Sequence, residues 1–123
     1  MIPLNSKYFT EDELKCKETG ELQMEPEFIA VLDELRERCG FPFIITSGYR
    51  SPNHSIEAQK PVKGTHAMGI AVDIKANSQQ KFKIMDKAQQ LGITRFGIHK
   101  SFIHIDIGDW RLDRFPPNVV WAY

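Results

Sequence analysis

The sequence is short of the features that mark several common protein classes. Only two of its 123 residues are cysteines, Cys16 and Cys39, and they lack a CxxC spacing. That excludes a disulfide-stapled scaffold and a thiolate zinc cluster, and allows one disulfide at most. No apolar run is long enough to cross a bilayer, so no membrane partner is expected. The opening stretch, MIPLNSKYFTEDEL, has no basic segment followed by an apolar one, and no secretory signal is read there. Charge of neither sign dominates: 16 Lys and Arg balance 16 Asp and Glu, with no basic block. This balance counts against an electrostatic nucleic-acid binder. Internal repeats and low-complexity segments are missing too. What remains is a chain of the length and apolar content of one globular domain, residues 1–123.

Within that length the punctuation is clear. Thr10-Glu11-Asp12-Glu13 reads as a capping box, with Phe9 and Leu14 placed as a hydrophobic staple, so a short helix starts there. A second helix begins near Pro26 and carries Phe28, Val31, Leu32, Leu35 and Cys39 on one stripe, and Gly40 ends it. Cys39 on that stripe is expected to be a buried thiol. FPFIITS predicts a buried strand from Phe43 to Ser47, and GIAVDI predicts another. Between them, GYRSPNHS is turn-rich and leads into an irregular stretch through Gly64. Asn77 or Ser78 caps a third helix that turns Phe82, Met85, Ala88 and Leu91 inward and ends at Gly92. TRFGI and FIHIDIG predict two strands joined by a tight turn around Lys100, and NVVWAY a final edge strand. Helices and strands mix without strict alternation. The expected fold is therefore α+β, a largely antiparallel sheet with helices packed on one face.

GTHAMGIAVDI sets His66 and Asp73 seven positions apart. A zinc ion holds N and O donors at about 2.0–2.2 Å, so its ligands must converge closely. Along a helix the two residues would stand about 10 Å apart, and along a strand roughly 23 Å on opposite faces. They can meet on one ion only if a loop carrying His66 turns into a strand ending near Asp73, with Gly64 and Gly69 supplying the backbone freedom. In FIHIDIG, Phe102, His104 and Asp106 share one strand face, while Ile103, Ile105 and Ile107 make a core face. His66, Asp73 and His104 together offer three N/O ligands and leave a fourth position for water, the composition of a catalytic zinc site.

ITSGYRSPNH, then THAMGIAVDI, then FIHIDIG, in that order, resemble the zinc D-alanyl-D-alanine peptidase family. That family includes bacterial DD-carboxypeptidases and phage L-alanyl-D-glutamate endopeptidases, and shares its fold with the Hedgehog signalling domain. The resemblance runs from about Phe9 onward, since FTEDELKC is similar to the family's opening helix. It implies that His66, Asp73 and His104 bind Zn2+. It also implies that Arg50 holds a substrate carboxylate or carbonyl, as the planar guanidinium fork suits, and that Ser47 and Tyr49 shape the cleft. Ser51-Pro52-Asn53 is turn chemistry. The implied substrate is the peptidoglycan stem peptide, cut by a monomeric enzyme made in the cytoplasm. Such an enzyme acts at the bacterial wall, by a phage lysis or virion route.

Two departures stand out. Many relatives carry Glu or Asp three residues before the last zinc histidine, where this chain has Ser101. A general base must then come from elsewhere, and Asp106 is preferred over His99. His99 matches a histidine that some relatives are thought to use at the oxyanion, and Asp106 has a competing role in orienting a ligand. EAQKPVK, before Gly64, also differs from the family and is expected to border the cleft. His54 is expected to be exposed, and Trp110, Trp121 and Tyr123 to be core or rim packing. Two other functions stay open: a zinc-retaining binding module without catalysis, and a metal-dependent nuclease, against which the neutral charge counts.

Overall fold

Alternation along the strands and reciprocal caps on the helices build the architecture. The computed structural model describes residues 4–61, 64–110 and 115–123. Thr10 caps α1 (Glu11–Leu14): its hydroxyl accepts from the Glu13 N–H while the Glu13 carboxylate accepts from the Thr10 N–H. Phe9 and Leu14 are both buried, as a staple requires. Pro26 opens α2 (Pro26–Cys39), and Gly40 closes it in the left-handed region at φ 76°. The buried stripe of α2 is Phe28, Ile29, Leu32, Leu35 and Cys39, with Val31 at its margin. Both cysteines are buried free thiols.

Asn77 caps α3 (Ser78–Gln90), with Gln80 reaching back to the Asn77 N–H. The inward face of α3 differs from the sequence expectation. Ile84 and Ala88 are its buried residues, while Phe82 is 78% exposed and Met85 and Leu91 are only partly covered. At 3.6 residues per turn Phe82 sits roughly 160° around the helix from Ile84, so the two cannot share a face.

The five-stranded sheet runs in the order β1 (Ile44–Ser47), β2 (Ala71–Lys75), β4 (Phe102–Asp106), β3 (Arg95–Ile98), β5 (Val119–Ala122). Every pairing is antiparallel except β3 with β5. The fold is thus α+β with a mostly antiparallel sheet, as expected. One correction concerns β1: it is an edge strand that buries Ile45, opposite Ile74, but leaves Ile44 58% exposed, because Ile44 lies on the other face, opposite exposed Lys75. On one face the registers align Ile45 with Ile74, Val72 and Phe96 with Ile105, and Ile74 with Ile103. These residues join Phe28, Leu32, Leu35, Ile84 and Ala88 of the helices in one apolar core. Among the described residues, no helix is long and apolar enough to cross a membrane.

Candidate metal centre

The opposite face of the sheet is where the polar residues gather. Register places Ser47 against Asp73, Asp73 against His104, His104 against Gly97 and Gly97 against Trp121, one row across all five strands. Ser47 joins this row through a bulge. The pairing moves from Ile45–Ile74 to Ser47–Asp73, so two residues of β1 oppose one of β2 and Ser47 turns to the face of Asp73. Asp73 and His104 are directly opposed, which brings their side chains together without any loop.

His66 arrives from the turn before β2. The bend predicted at Gly69 is there, at φ 73°, where a Cβ would lie 2.2 Å from the Gln23 carbonyl oxygen. That turn is pinned from outside, with the Glu25 N–H donating to the Gly69 carbonyl at 2.9 Å. Gly64 is not needed in the same way: a Cβ there would make ordinary contacts, and its φ is not left-handed.

The three side chains expected to be ligands converge. Asp73 Oδ1 lies 3.3 Å from His66 Nε2 and 3.0 Å from His104 Nδ1. One donor atom from each of the three lies within 4.8 Å of the others, and all three residues are buried. The outer nitrogens are fixed: His66 Nδ1–H donates to the Gly48 carbonyl at 2.8 Å, and His104 Nε2–H donates to Asp106 Oδ2 at 2.7 Å. In its neutral form each imidazole is therefore held in the tautomer that turns a bare nitrogen toward Asp73. Two imidazole nitrogens and a carboxylate oxygen, with their outer atoms already satisfied, form a donor set that suits zinc. Burial would push the Asp73 carboxyl up, but when the two rings are protonated their hydrogen bonds, His104 first, outweigh it and hold the carboxyl far below the carboxylate range. Burial likewise opposes a charged His104, yet Asp106 and Asp73 raise it above the ordinary histidine range.

Asp106 stands behind His104. It is fully buried, and while Oδ2 accepts from the imidazole N–H, Oδ1 accepts from Arg95 Nε at 2.7 Å and from the Gly108 N–H at 2.8 Å. Despite its burial, these partners, His104 first, hold its carboxyl below the usual range. Asp106, the residue expected as general base, thus has both oxygens in hydrogen bonds and adjoins the centre through the His104 ring it orients. Arg95, which the sequence reading missed, also donates to the Pro116 carbonyl at 2.7 Å and lies over the Trp121 and Phe115 rings. A hairpin centred on the Lys100 turn pairs 95 with 106, so the signal was present in the spacing.

His99 lies at the strand end, stacked on Phe102 with centroids 4.5 Å apart. Its Nδ1 accepts from the Ser101 N–H at 3.1 Å, so the neutral ring carries its proton on Nε2. Ser101 is exposed, with its hydroxyl 2.9 Å from the same Nδ1. Arg50 is half-buried; its N–H donates to the His66 carbonyl and its guanidinium sits 3.5 Å from Glu57. Glu57 was hidden in the charged EAQKPVK stretch, of which Val62 and Lys63 fall outside the described residues. It is fully buried, bound to Lys60 at 2.8 Å and to the Gly64 N–H at 3.3 Å, and so ties the Arg50 turn to the His66 loop. Ser47, Gly48, Tyr49, Arg50 and His54 line a cavity of about 120 Å³. Tyr49 supports that wall from within, since it packs in the core. His54 is half-buried rather than exposed, 3.2 Å from Glu18. Trp110 caps the end of α3 through the Gly92 carbonyl, whereas Trp121 lies beside His104 with centroids 5.3 Å apart.

Comparison with protein families matches residues 7–106 to the family model described as Peptidase M15. No curated protein matches the chain at a significant level.

Proposed function

Since the chain belongs to the peptidase M15 family of zinc peptidases, we propose that it is a zinc metallopeptidase that hydrolyses a peptide bond of the peptidoglycan stem. The bond is of D-alanyl-D-alanine or L-alanyl-D-glutamate type. The observation that carries this reading is the convergence of His66, Asp73 and His104, with each outer imidazole nitrogen already held. Zinc bound there would supply a water ionising near pH 7 and polarise the scissile carbonyl. The remaining work falls to the chain. Asp106 keeps the His104 tautomer, and Arg50, beside the His66 loop, holds a carboxylate or carbonyl of the stem peptide. Ser47 and Tyr49 shape the cavity next to it. His99, with its proton on Nε2, serves as a donor to substrate rather than as a base. The enzyme is a monomer made in the cytoplasm that acts at the bacterial wall by a phage lysis or virion route, and balanced charge supports a substrate other than nucleic acid.

One observation favours a second reading, a zinc-retaining module that binds wall peptide without cutting it. Ser101 cannot serve as an ordinary base, and among the described strand residues on the site face the only carboxylates are Asp73 and Asp106, both committed. Incubation with defined muropeptides, with and without a chelator, separates the two. Cleavage that the chelator abolishes and zinc restores, with product masses giving the bond, supports the peptidase. Stoichiometric zinc with no product from any muropeptide across a pH series supports the module.

A further inference from the structure

Tyr123 stands where rim packing alone does not account for it. Its N–H donates to the Ile98 carbonyl at 3.0 Å, which extends the parallel pairing of β5 on β3 and turns its ring to the same face as Trp121 and His104. Gly97, the register partner of both His104 and Trp121, leaves that face bare. A Cβ on Gly97 would lie 2.6 Å from Trp121 Nε1 and 2.8 Å from Tyr123 Cε2, so the two rings occupy the space a side chain would fill. Tyr123 leans on Phe102 (centroids 5.4 Å) and on the edge of His99 (6.1 Å), yet remains 64% exposed. One side of the ring is supported while the rest faces outward.

The phenol also shares the electrostatics of the centre. Partial burial first, then the charges of Asp73 and Asp106, raise it above the ordinary tyrosine range, against Trp121 and Arg50, which act in the other direction. The ring borders the row of the sheet that carries His104, and with its phenol raised above the ordinary range it is a protonated donor at neutral pH.

We propose that Tyr123 is a catalytic residue whose O–H donates a hydrogen bond to the scissile carbonyl oxygen as that oxygen gains negative charge. This rests on the peptidase reading above. When water adds to the carbonyl carbon, the π electron pair moves onto oxygen and the phenol stabilises it. When the C–N bond breaks, the pair returns and the amine leaves with a proton that originates in the water. Tyr123 keeps its own proton throughout. A donor aimed at developing charge acts on kcat, since it binds the transition state more tightly than the substrate.

Tyr123→Phe keeps the ring and removes the hydroxyl. With the zinc-loaded protein and a muropeptide that the wild type cleaves, kcat is expected to fall about 100-fold, the scale of one lost oxyanion donor. KM should stay within about twofold, as expected when only the transition state loses an interaction. Zinc stoichiometry and melting temperature should be unchanged. A phosphinate analogue of the tetrahedral species should bind the variant more weakly by a similar factor, while the uncleaved peptide binds equally. Wild-type kcat in Tyr123→Phe, or a loss confined to KM, overturns the assignment and leaves the peptidase reading standing. A wild-type protein that cleaves no muropeptide overturns both.

Discussion

Asp106→Asn is the sharpest test of how the centre is held. The change is nearly isosteric but alters which atoms can donate. In the wild type Asp106 accepts three hydrogen bonds, from His104 Nε2, Arg95 Nε and the Gly108 N–H. An asparagine oxygen can keep the Arg95 and Gly108 bonds, but its amide nitrogen then faces His104 Nε2 with a donor against a donor. The imidazole escapes by moving its proton to Nδ1, the atom that points at Asp73 3.0 Å away, and a protonated Nδ1 cannot ligate a metal. Loss of such an orienting partner lowers metal affinity by about 10–100-fold, equivalent to roughly 1.4–2.7 kcal/mol. Asp106→Ala is less informative, because breaking the buried pair with Arg95 costs about 3–5 kcal/mol and threatens the fold itself. The assay is competitive zinc titration against a chromophoric chelator at pH 7. Zinc binding by Asp106→Asn within twofold of wild type would refute the tautomer argument. The same variant tests the pH dependence. Because the folded Asp106 carboxyl sits below its ordinary value, its contribution to stability is fully present above about pH 4, the unfolded value, and fades as pH falls below that. Urea unfolding should therefore show a wild-type advantage over Asp106→Asn that shrinks on acidification.

Three further outcomes follow from specific contacts. Phe82→Ser should change stability by no more than about 0.5 kcal/mol, while Ile84→Ala should cost about 2–5 kcal/mol in urea unfolding, because only Ile84 faces the core. Gly69→Ala should cost about 1–3 kcal/mol or more and weaken zinc binding, since a methyl group there meets the Gln23 carbonyl and φ 73° is strained for alanine. Arg50→Lys should raise KM for the cleaved muropeptide roughly tenfold with kcat nearly kept, because a lysine cannot reproduce bidentate pairing with a carboxylate; an unchanged KM would remove Arg50 from substrate binding.

Much of this was legible because local chemistry and tertiary structure agree. The Thr10 capping box, the Pro26 and Gly40 boundaries and the alternation of FIHIDI depend on near neighbours, and each appears where its pattern places it. The failures have a common cause. Phe82 is the largest apolar residue of α3, so its bulk attracted the inward assignment, although Ile84, Ala88 and Leu91 define a tighter stripe around the helix. Glu57 looks like part of a solvated, charged loop. Its burial is decided by Arg50 and Gly64, which come from other turns and leave no trace in its own neighbourhood. The bulge that aims Ser47 belongs to the pairing of β1 with β2, not to either strand alone. For Asp106, strand alternation indicates the face, while the partner of each oxygen, a water or a ring nitrogen, depends on how His104 is turned.

The distribution of the three candidate ligands between strand and loop explains why so small a sheet can hold them. Asp73 and His104 sit opposite each other on central strands, and slipping either strand by one residue would send its own ligand to the core face and its apolar neighbours to the site. The apolar core therefore enforces the register that the centre requires. His66 lacks that protection, and the chain compensates with backbone bonds on every side of it. The His66 carbonyl accepts from the Arg50 and Gly69 N–H groups, the ring donates to the Gly48 carbonyl, and Gly69 is tied to Glu25. A loop held this way fixes the ring before any ion arrives, which is the condition for a site whose ligands must sit within a fraction of an ångström of their working positions. The SGYR and THAMG segments are thus two halves of one clamp, and either loses its purpose if the other is displaced.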